Sequence, residues 1–101
     1  MPSRGARFER SSVLNRIGGF GMLLEYIQAA LRNAKYEILP DDGSYYGEVR
    51  ECNGVYANAK TLEECREELR EVLEEWVLFR VHKNLRLPTI DGIELLIKEV
   101  A

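Results

Sequence analysis

The feature that most constrains this sequence is a helix start at Thr61, followed by a long amphipathic stretch. Glu64 stands three residues after Thr61, the spacing of a capping box, so we expect the threonine hydroxyl to accept from the Glu64 amide while the carboxylate reaches back to the backbone. Leu87-Pro88 cannot continue a helix, which predicts an end near Asn84. Apolar residues recur at helical spacing and predict one buried face: Leu62, Cys65, Leu69, Val72, Leu73, Trp76 and Phe79.

The remaining elements are shorter and predict an α+β fold. Apolar positions from Met22 to Lys35 recur every three or four residues, as in an amphipathic helix. Turn signals, a Pro-Asp-Asp-Gly-Ser run and Asn53-Gly54, separate runs typical of strands. The predicted strands are 36–39, 45–51, 55–59 and, after the long helix, 93–100. The order helix-strand-strand-strand-helix-strand predicts a small antiparallel sheet with helices on one face.

The charge of the chain changes sign near Met22. Residues 1–21 hold four arginines and one acid, a net charge of +3, whereas residues 22–101 hold 10 basic and 16 acidic side chains, a net charge of -6. We interpret 1–21 as a disordered tail or as the product of an upstream start codon, and 22–101 as a single domain. A basic nucleic-acid or membrane arm and a transit peptide remain open for 1–21.

Several classes of protein are disfavoured by composition. No apolar run approaches the roughly 18–20 residues that span a bilayer. Two cysteines without a CxxC pair disfavour zinc and a disulfide framework, which makes the reducing cytoplasm the expected compartment. We expect Cys65 to be buried and Cys52, beside a turn, to be more exposed. His82 lacks an accompanying nucleophile motif, so we interpret it as a cation at a helix end.

The acidic helix is the most informative charge feature. Seven acids and two arginines lie between Glu63 and Glu75. Such a run can simply be a solvated face, or it can attract a basic partner. Tyr45 and Tyr46 must point to opposite faces of their strand, and the exposed one, with Tyr56, would suit an interface.

An ordered series of short motifs resembles the HicB-like antitoxin family over about residues 22–88. The motifs are 36–39, a turn of acids and glycine, Tyr45–Val49, Asn53–Ala57 and Lys60–Cys65. The chain departs from the family at Arg50–Gly54, which replaces a proline-rich turn and keeps only the acid and the final glycine. It departs again at Ala59, where a glycine usually precedes Lys60-Thr61.

The resemblance implies a partial ribonuclease-H-like domain without catalytic acids, hence a bacterial antitoxin that is not an enzyme and needs no cofactor or metal. Family members cover the active site of a small basic mRNA-cleaving toxin of the HicA type, and the -6 core fits such a partner. Many members carry a DNA-binding segment after this domain. About seventeen residues follow the long helix here, so we expect no direct nucleic-acid binding. The expected contact residues are acids and tyrosines: Asp41, Asp42, Tyr45, Tyr46, Glu48, Glu67, Glu71 and Glu74.

Two other hypotheses stay open. An orphan family member without a toxin would self-associate. We expect a dimer under either hypothesis, because a domain of about 80 residues buries only a modest fraction of its surface. An edge strand such as 93–100 can also pair with its copy across a two-fold axis. A metal-dependent nuclease of the ribonuclease H type would need converging acids, and the strands offer Glu37, Glu48 and Glu51.

Overall fold

The structure is a computed structural model that describes residues 20–95. Its elements are α1 (Phe20–Arg32), β1 (Lys35–Ile38), β2 (Tyr45–Glu48), β3 (Tyr56–Ala59) and α2 (Leu62–His82). The strands form one antiparallel sheet in the order β1-β2-β3. Helix α2 packs on β2 and β3, and α1 packs on α2. The predicted α+β class, with helices on one face of a small antiparallel sheet, is confirmed.

The register of the strands divides their residues between two faces. Tyr36, Gly47 and Ala57 lie opposite one another, and Ala57 accepts a hydrogen bond from the thiol of Cys65 on α2 at 3.6 Å. The inner face, toward α2, therefore carries Tyr36, Ile38, Tyr45, Gly47, Ala57 and Ala59. Side chains alternate along a strand, so the outer face carries Lys35, Glu37, Tyr46, Glu48, Tyr56 and Asn58.

Helix α2 begins as predicted, with one difference in its cap. The Glu64 amide donates to the Thr61 hydroxyl at 3.1 Å, as the capping box requires. The Glu64 carboxylate accepts from that same hydroxyl, at 3.3 Å, and not from the backbone. Because a cap of this type satisfies an otherwise unpaired amide, it fixes where the helix starts after β3.

The buried stripe of α2 differs from the predicted one at both ends. Leu62 and Phe79 are exposed, which corrects their assignment to the buried face. Val77 and Val81 fill the core instead. The buried stripe repeats every four residues, whereas the predicted pattern departs from this spacing after Leu73. The buried positions are Cys65, Leu69, Leu73, Val77, Leu78 and Val81.

The predicted ends of the chain fall mostly outside the described residues. Residues 1–19 of the predicted tail lie there, and α1 begins at Phe20, two residues before Met22. Residues 96–100 of the predicted last strand also lie there. Within the described part, Ile93 pairs with Ile90 in an isolated bridge and does not belong to a longer strand.

The segment after α2 forms hydrogen bonds with both helices. The hydroxyl of Tyr26 on α1 donates to the carbonyl of Pro88 at 2.5 Å. The Arg80 guanidinium donates twice to the Arg86 carbonyl, at 2.9 and 2.6 Å, while it lies over the Trp76 ring. These contacts bring Leu87, Ile90 and Leu95 into the core.

Gly47 is the point of closest packing between the sheet and its helical cover. A Cβ at this position would come within 2.7 Å of two ring carbons of Tyr36 and 3.2 Å of the Cys65 sulfur. The Tyr36 ring thus lies directly on the glycine, in the space that any larger residue would occupy. The absence of a side chain at residue 47 lets β1 and α2 pack against the middle of β2.

The Gly47→Ala variant tests this packing. We expect it to lower the free energy of unfolding by about 1–3 kcal/mol, the usual cost of overfilling a packed site. The penalty should shrink when Tyr36→Ala is present as well, because the overlapping ring is gone. Urea unfolding of the wild type, both single variants and the double variant measures this coupling. An equal penalty in both backgrounds would contradict the proposed overlap.

Candidate partner-binding surface

The outer face of the sheet is covered by neither helix. Lys35, Glu37, Tyr56 and Asn58 are exposed there, and Tyr46 and Glu48 are half-buried. The rings of Tyr46 and Tyr56 stack with their centroids 6.1 Å apart and an angle of 27° between their planes. Stacked tyrosines form a flat apolar surface with polar tips, a combination common at protein interfaces. The outer face therefore has the character of a binding surface.

Glu48 organises the polar part of the outer face. Its carboxylate accepts from the Tyr46 hydroxyl at 3.1 Å and pairs with the Arg50 guanidinium, also at 3.1 Å. Partial desolvation, together with the hydrogen bond to Glu48 and the charge of that carboxylate, raises the pKa of Tyr46. Tyr46 thus remains a neutral hydrogen-bond donor, and its ring is held in place for the stack with Tyr56.

The β1–β2 turn presents two of the predicted acids in different ways. Asp41 and Asp42 are both exposed. The Asp42 carboxylate accepts from the Ser44 amide at 3.0 Å, and hydrogen bonds from Ser44 lower the pKa of Asp42. Gly43 has a φ of 73°, a left-handed conformation that glycine adopts without strain. Asp42 therefore holds the turn in shape, as the turn signal predicts.

The predicted acids on α2 lie on the opposite side of the molecule from the outer face. Glu67 and Glu74 both pair with Arg70, at 2.5 and 2.9 Å, and Glu71 is half-buried. Over its whole length α2 carries seven glutamates and three arginines. Its surface is acidic overall, although Arg70 is already engaged by two of the carboxylates.

The predicted contact residues do not form one surface. Tyr46 and Glu48 lie on the outer face, and Asp41 and Asp42 lie at the β1–β2 turn. Tyr45 points to the inner face and packs against the core, which confirms that the two adjacent tyrosines point in opposite directions. The acids Glu67, Glu71 and Glu74 lie on α2. Sequence reasoning omitted Lys35, Glu37, Arg50 and Asn58 from the candidate contacts. The register between strands places Lys35 opposite Glu48, and Glu37 and Asn58 opposite Tyr46.

The prediction for Cys52 was wrong. Its side chain is completely buried, like that of Cys65. The indole of Trp76 donates to the carbonyl of neighbouring Asn53 at 3.1 Å, so α2 lies against the turn that contains Cys52. Burial, reinforced by the nearby Glu51 carboxylate, raises the pKa of the Cys52 thiol to about 11. A protonated, buried thiol is a poor nucleophile.

Metal chemistry and membrane insertion find no support in the described residues. Between residues 20 and 95, no three histidine, cysteine, aspartate or glutamate side chains converge in a way that could hold a metal ion. Neither of the helices in this part of the chain is long and apolar enough to cross a membrane.

Comparison with known proteins places the chain in a family. Residues 25–88, more than half of the chain, match the UPF0150-like family. The chain belongs to the UPF0150-like family. This match spans most of α1, the sheet and the whole of α2, so it includes both the outer face and the acidic helix.

A solved structure shares the fold. The crystal structure of TTHA0281 from Thermus thermophilus has 32% sequence identity and a TM-score of 0.73, and the match covers 80% of this chain and 100% of that one. No curated protein matches the chain. The fold is therefore shared, over most of this chain, with a solved protein that is matched along its whole length.

The buried Cys52 thiol predicts a loss of stability at high pH. Its pKa is raised in the folded state, so its contribution is complete below the ordinary thiol value of about 9 and is lost as the pH rises toward about 11. Cys52→Ala should therefore show a shallower fall in the free energy of unfolding between these pH values than the wild type. Urea unfolding at several pH values measures the two slopes. Identical slopes would contradict the pKa assignment.

Proposed function

We propose that this chain is a HicB-like, antitoxin-type binding protein that neutralises a small, basic, mRNA-cleaving toxin of the HicA type. The observation that carries the proposal is the outer face, a sheet surface that neither α1 nor α2 covers, with stacked Tyr46 and Tyr56 rings beside the Glu48 carboxylate. Membership of the UPF0150-like family and the order of the HicB-like motifs support it. In this proposal the chain acts by binding and has no enzymatic activity of its own.

We propose that the two surfaces have different tasks, because they differ in charge. The acidic α2 attracts a basic protein over a long range and speeds its encounter with this chain, an effect that weakens with salt. The outer face carries Lys35, Glu37 and Glu48, and Arg50, just after β2, pairs with Glu48, so the formal charges there balance. Its contribution is contact area, because rigid tyrosines are frequent sites of high binding energy in interfaces.

A second candidate function is self-association without a toxin. The observation in its favour is the outer edge of β1, with which no strand in residues 20–95 pairs. An open edge presents free backbone donors and acceptors and is a template for another strand. A dimer and toxin binding are compatible with each other, since the edge of β1 and the outer face are different surfaces.

The proposal is tested with the protein encoded beside this gene as the binding probe, and it requires that protein to be small, basic and able to cleave RNA. We expect the two purified proteins to form a complex of defined mass in solution, and RNA cleavage by the basic protein to fall as this chain is added. If the neighbouring protein is basic and cleaves RNA but neither binds nor is inhibited, the antitoxin proposal is wrong. A neighbour that is neither basic nor a ribonuclease also counts against it.

The choice of surface is tested by a matched pair of aromatic variants. Tyr56 on the outer face and Phe79 on α2 are 58% and 47% exposed. We expect Tyr56→Ala to weaken the complex about tenfold or more, as for a residue at the centre of an interface, and Phe79→Ala to leave it unchanged. Circular dichroism melting of both variants controls for folding. The reverse result would move the interface to α2.

A further inference from the structure

The register of the sheet identifies the backbone groups of β1 that pair with no other strand in residues 20–95. The Leu39 amide donates to the Ser44 carbonyl at 2.8 Å, so these residues form a hydrogen-bonded pair that continues the β1–β2 ladder. Hydrogen-bonded pairs alternate along an antiparallel ladder. Lys35 and Glu37 therefore direct their amides and carbonyls toward β2. Tyr36 and Ile38 direct theirs to the open edge.

The side chains of β1 on the inner face are also only partly covered by the helices. Helix α2 packs on β2 and β3, which leaves the inner face of β1 at the side of the helical layer. Ile38 on this face is 60% exposed, the highest value among the large apolar side chains of the described residues. A groove lies between Tyr36 of β1 and the two helices, lined also by Leu31, Glu63, Arg66, Glu67 and Arg70.

From this edge we infer that β1 pairs with β1 of a second copy of this chain about a two-fold axis, so that the sheets of two protomers form one continuous antiparallel sheet. The inference goes beyond toxin binding and does not depend on it. A two-fold axis suits this edge, because each strand then presents the same free groups to its partner.

The register of this pairing follows from hydrogen bonding and charge. Residues opposite each other in an antiparallel ladder lie on the same face, so the registers that use most of β1 are centred on Tyr36 or on Glu37. Centring on Tyr36 lets the free groups of Tyr36 in both copies bond to each other. It also places Lys35 of each copy opposite Glu37 of the other.

The alternative register is unfavourable. Centring on Glu37 would set the two Glu37 carboxylates directly opposite each other, an arrangement that destabilises a strand pair. Lys35 and Glu37 are both exposed, and neither forms an ion pair within the described residues. The sequence of β1 is thus complementary to itself in one register and repulsive in the other.

Charge variants test the pairing through the mass of the full-length chain in solution. The contact is short, so we expect a dimer that dissociates on dilution, with the mass falling from twice 11.6 kDa toward 11.6 kDa in sedimentation equilibrium. Lys35→Glu sets like charges opposite each other twice and should raise the dissociation constant about tenfold. Adding Glu37→Lys restores opposite charges, and we expect it to restore the dimer. A double variant no better than Lys35→Glu would overturn the assignment.

A cysteine pair tests the register directly. In the Tyr36-centred register, Lys35→Cys of one copy faces Glu37→Cys of the other, so the double variant should form a cross-linked dimer on oxidation, and each single variant should not. Wild type controls for Cys52 and Cys65. Efficient cross-linking of Glu37→Cys alone would show the other register and contradict the proposal.

A chain ending at Leu95 tests whether residues 96–101 occupy this edge instead. The inference requires the full chain and the shortened chain to dimerise to a similar extent. A full chain that stays monomeric at every concentration, whether or not the shortened chain dimerises, overturns it. None of these measurements includes the basic partner, so their outcome is separate from that of the antitoxin proposal.

Discussion

The structure depends on the close approach of α2 to the inner face of the sheet at Gly47. A hydrogen atom in place of a side chain lets the Tyr36 ring and the Cys65 sulfur occupy the same small region. The four-residue spacing of the α2 stripe then carries the contact along the helix from Cys65 to Val81. Because α2 packs on the inner face, any binding by the sheet has to use its outer face or one of its edges.

This division explains how a small domain can offer more than one surface. The outer face presents the stacked rings of Tyr46 and Tyr56, whereas α2, on the other side of the sheet, carries seven glutamates. Attraction over distance and contact at short range need not come from the same residues. The edge of β1 is a third surface, and its use by a second copy leaves the outer faces of both protomers available.

The sequence contains enough local information to predict most of the elements. The Thr61 cap, the Asn53-Gly54 turn and the turn at 40–44 act over a few residues, so their effect can be derived without knowing the fold. Sequence reasoning failed where distant segments meet. Cys52 lies in a turn, yet its side chain is completely buried, and Trp76, from the distant helix α2, donates to the carbonyl of its neighbour Asn53. Phe79 fits the helical period but lies outside the stripe, because the sheet, and not the helix, decides which positions are covered.

The candidate site could be predicted only in part, for the same reason. Alternation along β2 places Tyr46 and Glu48 on one face, which local pattern shows. The pairing of Tyr46 with Tyr56 depends on the register between β2 and β3, and the separation of Glu67 and Glu74 from that face depends on which side of the sheet α2 covers. Charge alone suggested one acidic surface, whereas the fold distributes the acids over two sides.

The central proposal, that the outer face binds a basic protein, is tested most directly by hydrogen–deuterium exchange of a complex with the protein encoded beside this gene. The account predicts added protection across β2 and β3, with the acidic first half of α2 unchanged. Protection confined to α2, with the strands unchanged, would contradict it.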